Sequence, residues 1–355
     1  MSSNKRPRHD DDGAGGSGDQ RSSMRRPKIK KHLYLVLNDG DKGYNIYEID
    51  ADIFDSDDHQ QVADLPEPPV LRLENPAVGG RSMDFSALGT KIIALVHQRC
   101  CLVYDTETAR LGVGPHAPLQ MVCGSGGISV AVGGALYALT YRSFDPQQPM
   151  DFAAREWAPT GLDAMQRPTE GWSWKALPPP PFCKDWVTAY ALHPDGCTNR
   201  VSPNRLATYS FNTKESAWRW HGERGLPFFG RAHYDDELDA WVGLARRDGH
   251  ISCCQVVSPT YYQQRAPGTY LADFKSTKFW EGPGWRRETS LTPMGTSRYC
   301  LVQQCNYDHG CVLHVTIFGL KYNHKGELQT TRQQSTRSFS LSRRSGSFAG
   351  FAFWM

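Results

Sequence analysis

The 355-residue sequence lacks any apolar run close to the ~18 residues that a membrane-spanning helix needs. It also lacks the apolar core of a secretory signal, and it contains no Asn-x-Ser/Thr acceptor for N-glycosylation. These absences argue against the membrane and secretory classes. They predict an intracellular protein of the nucleus, the cytoplasm or both.

Familiar catalytic and metal motifs are also missing. The sequence has no Gly-x-Ser-x-Gly elbow, no phosphate-binding Gly-rich Lys loop and no His-Glu-x-x-His helix. Cys300, Cys305, Cys311 and His314 have spacings that match no zinc knuckle, and alternation along a strand hairpin would scatter them over two faces. The sequence therefore predicts a protein that is not an enzyme and holds no metal or cofactor.

Charge is unevenly distributed along the chain. Residues 1–31 carry nine Lys/Arg and four Asp, a net +5, and the residues after 331 carry four Arg and no acid. Because the whole chain has a net charge of only +3, the remaining body has a net charge of −6. A body with this balance is not suited to cover a phosphate backbone, so nucleic acid is not the expected partner.

Strand patterns dominate what is present. In the stretch 230–258, apolar residues alternate in three segments that are separated by Asp-Asp-Glu and Arg-Asp-Gly turns. A fourth strand is expected at 285–289, after a long loop. Four strands joined in this order are typical of one blade of a β-propeller, and the rest of the chain divides into similar units.

We therefore predict an all-β fold, a single β-propeller of residues 32–355 with six blades, or seven if the insertions contain further strands. The first unit lacks an innermost strand, and 338–341 or 350–353 from the C-terminus is expected to supply it and close the ring. The predicted strands are 32–37, 44–49 and 62–66; 83–88, 92–97, 100–104 and 110–114; 128–132, 135–141 and 172–177; 188–192, 206–211 and 217–221; 230–234, 240–245, 251–257 and 285–289; 299–303, 313–322 and 327–332.

Internal repeats support this phasing. Leu-Val-Tyr-Asp-Thr-Glu-Thr at 102 and Tyr-Ser-Phe-Asn-Thr-Lys-Glu-Ser at 209 give the same strand-to-turn signal. The pairs Trp172/Trp174 and Trp218/Trp220 each open an outer strand, 46 residues apart, which is close to one kelch-like blade. We expect at least one ring of each pair to pack between blades, and Trp174 and Trp220 are the predicted packing residues.

The Tyr-Asp-Thr strand ends and the Trp-bearing strands resemble kelch repeats and F-box-associated propellers. Lys-Gly-Tyr-Asn-Ile-Tyr at 42, Ala-Tyr-Ala-Leu-His-Pro-Asp-Gly at 189 and Gly-Arg-Ala-His-Tyr-Asp-Asp-Glu-Leu-Asp-Ala-Trp-Val-Gly-Leu at 230 resemble a large grass-plant family of unknown function. This resemblance, with the final Phe-Trp-Met, covers 32–355. It implies a plant source and a propeller body, and it transfers no catalytic residue. The 31 residues before the body are too few and too polar for an F-box.

Two clusters of ionisable residues are interpreted as turns. His233 lies beside Asp235, Asp236, Glu237 and Asp239, and acids in a two-strand turn bond nearby backbone N–H groups. The His-Pro-Asp-Gly sequence at 193 has the same character. General acid–base or metal chemistry at the first cluster is the alternative.

The long loops at 50–61, 142–171 and 259–283 are all predicted third-to-fourth strand connections, which leave a propeller on one face. The last combines aromatic and basic side chains typical of protein interfaces. We predict a monomeric, non-catalytic scaffold that binds a protein or peptide there; the alternative is a propeller enzyme or carbohydrate-binding protein that uses the central channel. The predicted partner-binding residues are Tyr261, Tyr262, Arg265, Tyr270, Phe274, Lys278 and Trp280.

The N-terminal segment 1–31 has almost no apolar surface and is predicted to be disordered. Its two basic clusters, separated by a Gly/Ser spacer, resemble a two-part nuclear import signal, and a solubilising tail is the alternative. The residues of the two clusters are Lys5, Arg6, Arg8, Arg25, Arg26, Lys28, Lys30 and Lys31.

Overall fold

The structure is a computed structural model, and the fold described below is that of the unit Lys31–Met355. Of the predicted disordered tail, 1–31, residues 1–29 lie outside the described residues, so the disorder of the tail stays a prediction. Lys30 and Lys31 are described and exposed. The described residues are 30–54, 62–74, 83–96, 100–114, 128–141, 152–159, 172–182, 187–203, 206–245, 250–256, 274–278, 289–307, 310–331, 334–341 and 347–355.

An all-β architecture is confirmed: the described residues form strands joined by turns, with two short 3₁₀ helices at Gly40–Lys42 and Ala51–Phe54. None of these residues belongs to a helix that is long and apolar enough to cross a membrane. In chain order the first twelve strands are β1 (His32–Asn38), β2 (Tyr44–Asp50), β3 (Val62–Asp64) and β4 (Leu71–Leu73); β5 (Asp84–Leu88), β6 (Lys91–Val96), β7 (Cys100–Asp105) and β8 (Arg110–Gly114); β9 (Ile128–Val132), β10 (Ala135–Tyr141), β11 (Phe152–Pro159) and β12 (Trp172–Ala176). All of them except β3 belong to the first three antiparallel meanders.

Three further meanders follow. Their strands are β13 (Val187–Leu192), β14 (Thr198–Pro203), β15 (Thr208–Asn212) and β16 (Ala217–Gly222); β17 (Phe228–Asp235), β18 (Ala240–Ala245), β19 (His250–Gln255) and β20 (Phe274–Lys278); β21 (Thr289–Gly295), β22 (Arg298–Tyr307), β23 (Gly310–Tyr322), β24 (Leu328–Thr330) and β25 (Ser335–Leu341). The chain ends with β26 (Ser347–Trp354).

The last strand joins the first sheet, as predicted. Strand β26 pairs antiparallel with β1, so the order in the first sheet is β26-β1-β2-β4. The predicted donor segment 350–353 lies within β26, whereas 338–341 lies in β25 of the sixth meander. Two backbone bonds between His32 and Met355, of 2.7 and 3.0 Å, hold the ends of the two strands together.

Several predicted strands are wrong in position. The segment 62–66 does not continue the first sheet, because β3 pairs in parallel with β25 of the sixth meander and β4 takes its place beside β2. The fourth strand of the fifth meander is β20 and not 285–289; Thr289 instead begins β21, the first strand of the sixth. The prediction did not include strands β11 and β14. It placed all four strands of the second meander correctly.

Six hydrophobic clusters of described residues each join two consecutive meanders. Leu88 and Leu136 join the second and third, Leu139 and Val201 the third and fourth, and Phe228 with Ala189 the fourth and fifth. Strand β1 is buried on both sides, because its residues alternate between two of these clusters. Leu33, Leu35 and Leu37 pack with the sixth meander, and Tyr34 and Val36 pack with the second. The cluster of Val242, Leu301 and Phe318 joins the fifth to the sixth.

Each meander has one inner strand, the one that borders the strands of the neighbouring meanders. Consecutive inner strands contact each other in five of the six neighbouring pairs, and the sixth pair, β17 and β21, is joined by the hydrogen bond between His233 and the Leu291 carbonyl. The inner strands are β26, β5, β9, β13, β17 and β21. Strands β13 and β17 pair directly in parallel, which joins two meanders into one eight-stranded sheet. Elsewhere side chains make the link: the Thr292 hydroxyl of β21 donates to the Ala352 carbonyl of β26 at 3.1 Å.

Candidate functional site

The candidate site is a cavity of about 810 Å³ that receives lining residues from all six inner strands. This volume falls within the range typical of ligand sites, roughly 300–1,000 Å³. Its polar lining includes Asp84, Tyr190, Arg231 and His233 together with several hydroxyls. Its apolar lining includes Met83, Phe85, Ile128, Val187, Phe229, Leu291, Phe351 and Phe353.

A bulge in β17 brings Arg231 to the cavity. Phe229 pairs with Leu244 and His233 pairs with Val242, so three residues of β17 stand opposite Gly243 alone. These three residues pair instead with β13, with Tyr190 directly beside Arg231. Gly230 starts the bulge at φ +72°, a left-handed conformation that favours glycine.

Two opposite charges in the cavity lack charged partners. Arg231 and Asp84 form no ion pair or hydrogen bond with any described residue, and Arg231 is half-buried. Part of Asp84 borders the cavity, but the surrounding protein limits its hydration, and this burial raises the pKa of its carboxyl to about 7. Asp84 therefore exchanges a proton near neutral pH.

Tyr190 and His233 are neutral in this setting. Burial raises the pKa of Tyr190, with Arg231 lowering it and Asp84 raising it by smaller amounts. Burial, and then Arg231, hold the pKa of His233 well below its ordinary value. Because His233 Nε2 lies 3.1 Å from the Leu291 carbonyl, it donates its proton there, and the ring joins β17 to β21.

The lining is suited to binding. Arg231 offers up to five N–H donors, and serine and threonine hydroxyls can donate or accept. Ser86 and Ser129 bond each other across β5 and β9. Asp84 is the one acidic side chain among the described lining residues, so they do not provide the two carboxylates that most glycosidases use.

The predicted partner-binding residues divide into two groups. Phe274 and Lys278 were predicted in a loop, but they lie at the two ends of β20, which pairs with β19. Polar residues between them, Lys-Ser-Thr, hid this strand from a search for apolar alternation. Tyr261, Tyr262, Arg265, Tyr270 and Trp280 lie outside the described residues.

The acidic turn after β17 has the predicted structural role. Asp235 is only 6% exposed, and its Oδ1 accepts the backbone N–H groups of Glu237 and Leu238 at 3.1 Å. Ser297 Oγ donates to the same oxygen at 2.6 Å, and Tyr299 Oη donates to Oδ2 at 2.7 Å. The carboxylate therefore fixes its own turn and attaches the fifth meander to the sixth.

His193 and Asp195 also form a turn, as predicted. Asp195 Oδ1 accepts the backbone N–H groups of Cys197 and Thr198 at 2.9 and 2.8 Å. Burial lowers the pKa of His193, while the nearby Asp195 opposes this effect. The Asp195 backbone N–H donates to His193 Nδ1 at 3.1 Å, and the His193 backbone N–H donates to the Thr198 carbonyl at 2.8 Å, which closes the hairpin from β13 to β14.

The predicted scattering of the cysteines is confirmed by the β22–β23 register. Cys305 lies opposite Val312, whereas Cys311 lies opposite Asn306, so the two cysteines occupy opposite faces. His314 shares the face of Cys305, and Cys300 shares that of Cys311. No group of three metal-ligating side chains occurs within the described residues.

The tryptophan prediction is half right. Trp218 packs against the rings of Phe182 and Phe211, and its Nε1 donates to the Pro178 carbonyl at 3.0 Å. Trp220 is 51% exposed, so its predicted packing role is wrong. The two rings alternate across β16, and only Trp218 faces the neighbouring meander. Trp174 is partly buried against the cluster of Leu88 and Leu136, as predicted.

Sequence reasoning did not identify Arg231 or Asp84 as residues of the cavity. The Gly-Arg-Ala-His stretch at 230 was interpreted as a plain strand, although a glycine inside a strand pattern can indicate a bulge. Asp84 resembles an ordinary polar residue at a strand start. Its role depends on five other strands, which no local pattern specifies.

These features define an all-β protein of six antiparallel meanders whose inner strands border a common cavity. Residues 30–339 match a family described as "Protein of unknown function (DUF1668)", and the chain belongs to this family. A search of curated proteins found no match.

Two solved structures match this chain at low sequence identity. Hsv2p of Kluyveromyces lactis is 11% identical and has a TM-score of 0.40, with 85% of this chain and 82% of that one covered. KlAtg21, solved with the coiled coil of AgAtg16, is 11% identical and has a TM-score of 0.44, with coverages of 86% and 96%. Values at this level transfer no function.

Proposed function

We propose that the chain is a single six-bladed β-propeller that acts as a non-catalytic scaffold for a protein or peptide partner. The observation that carries this proposal is the cyclic arrangement of six inner strands around one cavity. The six interlocking clusters support the same order, because each sheet packs on two neighbours and the last packs on the first. The kelch-like character of the repeats and a plant origin are part of this proposal.

The partner is proposed to bind on the face formed by third-to-fourth strand connections. The β19–β20 connection carries Tyr261, Tyr262, Arg265 and Tyr270, a composition enriched at interfaces. The insertion 142–171 does not belong wholly to this face. Strand β11 divides it, so that 142–151 connects β10 to β11, and this connection is proposed to leave on the opposite face.

The test replaces 259–271 with a Gly-Ser linker of equal length, which leaves β20 intact, and compares partners by proximity labelling in cells. We expect a discrete set of partners to be lost. Replacement of 142–151 is the matched control on the opposite face and should retain them. A full set of partners after the first replacement, with an unchanged thermal melt, would refute this binding face.

We further propose that the basic clusters of 1–31 direct the protein to the nucleus and that the protein acts as a monomer. Their spacing around a Gly/Ser segment supports import. A fluorescent protein fused to 1–31 should accumulate in the nucleus, and a fusion in which Arg25, Arg26, Lys28, Lys30 and Lys31 are Gln should not. Equal distribution of both fusions would leave a solubilising tail.

A ligand in the central channel is the second candidate function, because Arg231 and Asp84 border the cavity without charged partners among the described residues. The single acidic side chain among the lining favours binding over glycoside hydrolysis. Carbohydrate binding predicts an effect of neutral sugars on the melting temperature. No effect, together with an effect of acidic ligands, would eliminate it.

A further inference from the structure

We propose that the central cavity recognises a carboxylate group on its ligand, with the guanidinium of Arg231 as the anion-binding group and wall hydroxyls as additional donors. This inference rests on the proposed function, since it names the chemistry by which the scaffold would hold part of its partner. Two sources offer this group: an acidic side chain of a peptide and a free organic acid.

The position of Arg231 is the first argument. The bulge removes Gly230, Arg231 and Ala232 from the β18 ladder and aligns them with β13, so the backbone is specifically arranged to bring this residue to the cavity. Arg231 is half-buried and has no ion pair among the described residues. An anionic ligand in the cavity would give its guanidinium a charged partner.

The amount of charge is the second argument. Among the described residues that line the cavity, Arg231 is the one cationic side chain, because the other basic residue, His233, is neutral. One guanidinium matches one carboxylate in a bidentate pair. A phosphate dianion would keep an unpaired charge near Asp84. Aromatic walls from Phe229 and Phe351 suit a ligand with an apolar part beside its acid.

Asp84 gives the site a proton-dependent affinity. Above pH 7 its carboxylate repels an anionic ligand, and below pH 7 it is protonated and able to donate a hydrogen bond. Burial raises the pKa of Tyr44 and Tyr190 and lowers that of His233, so these three groups stay neutral between pH 6 and 8. Affinity for a carboxylate should therefore rise as the pH falls from 8 to 6.

The experiment measures binding of two probes to the full chain by calorimetry at pH 6, 7 and 8. One is the capped peptide acetyl-Gly-Glu-Phe-Ser-Gly-amide, with its Gln analogue as the neutral control. The other is 3-phenylpropanoate, which carries the same acid and ring without a peptide. Arg231→Gln should lose about ten- to a hundredfold in affinity, and Arg231→Lys should lose less.

Asp84→Asn should act in the opposite direction, raising affinity at pH 8 about threefold or more and flattening the pH dependence. Arg298→Gln is the matched control, because Arg298 is exposed on β22 and does not line the cavity. Thermal melts of every variant separate lost binding from lost folding. Opposite effects at Arg231 and Asp84 cannot both result from general destabilisation.

Three outcomes separate the claims. Binding of the Glu peptide that depends on Arg231 supports both the inference and a peptide-binding scaffold. Binding of 3-phenylpropanoate alone supports the carboxylate site and assigns it to a free acid, against the peptide source. Failure of both probes to saturate the wild type at millimolar concentration, or equal binding by folded Arg231→Gln, overturns the inference. The loop replacement still tests the proposed function independently.

Discussion

Trp241 shows how one side chain can connect two meanders. It is 1% exposed, and its Nε1 donates to the Leu192 carbonyl at the end of β13 at 2.7 Å. The Arg200 guanidinium lies 5.3 Å from its ring centre, and His193 meets it edge to face. The ring therefore adds a directed bond and a cation–π contact to the apolar cluster between the fourth and fifth meanders.

Trp241→Phe should lower the free energy of unfolding by about 1–3 kcal/mol, because the Leu192 carbonyl loses its donor while most apolar volume remains. Urea unfolding followed by circular dichroism measures this loss. Trp220→Phe is the matched control on an exposed ring, and it should change stability by less than about 0.5 kcal/mol. Equal losses for both variants would contradict the packing assignment.

For single residues, the sequence predicts the hydrogen bonds within a turn but not the hydrogen bonds to distant parts of the chain. The turn role of Asp235 follows from neighbouring residues, because its backbone partners lie two and three positions away. Its bonds to Ser297 and Tyr299 span more than 60 residues, and no pattern near Asp235 predicts them. Alternation likewise shows that Trp218 and Trp220 face opposite sides, but not which side meets a neighbouring meander.

The β17 bulge is the element that most directly shapes the cavity. On the neighbouring strand β18, Gly243 lies opposite the bulge, at a position where a side chain would collide with buried residues. A Cβ added there would lie 2.8 Å from Phe228 Cδ1 and 3.0 Å from the Ala232 Cβ. Only glycine lets β18 approach the displaced strand this closely. The cavity wall therefore depends on a residue that does not touch the cavity.

Gly243→Ala should lower the free energy of unfolding by about 1–3 kcal/mol through overpacking, as chemical denaturation would measure. Gly112→Ala in β8 is the matched control, since its added Cβ has only the Val103 carbonyl nearby at 3.9 Å, and it should be neutral or slightly stabilising. Combining Gly243→Ala with Phe228→Leu should cost less than the sum of the two single changes. Strict additivity would mean that Phe228 is not the obstacle.

Strands were predictable where apolar residues alternate and turns are short. The second meander meets both conditions, with Ala-Leu-Gly-Thr-Lys and Asp-Thr-Glu-Thr turns, and all four of its strands were found. Strands β11 and β20 lie inside long insertions and contain Arg155, Glu156, Lys275 and Lys278. Pairing with β10 and β19 forms them, because backbone bonds do not require an apolar sequence.

At the scale of the whole unit 31–355, the first sheet is built from both ends of that segment. Strand β26 contributes Phe348 and Ala352 to the cluster shared with the sixth meander, and Phe351 and Phe353 to the cluster shared with the second. It also lines the cavity along its full length. The sequence predicted this donor because the first unit was one strand short, whereas the parallel pairing of β3 with β25 has no such signal.

This pairing predicts that the stability of the fold depends more on the presence of β26 than on the order in which the chain connects the strands. A circular permutant of 32–355, with 355 joined to 32 by a short Gly linker and new ends between Lys214 and Glu215, should unfold cooperatively within about 1–2 kcal/mol of the parent. His32 and Met355 are already hydrogen-bonded neighbours, and the new ends fall at exposed residues of the β15–β16 turn.

Deletion of 347–355 is the matched change that keeps the natural order but removes the inner strand. It exposes β1, opens two clusters and should abolish the cooperative melt, as followed by circular dichroism and calorimetry. The prediction is contradicted if the permutant fails to fold while the truncated chain melts like the parent. In that case β26 would not be the strand that links the first and sixth meanders.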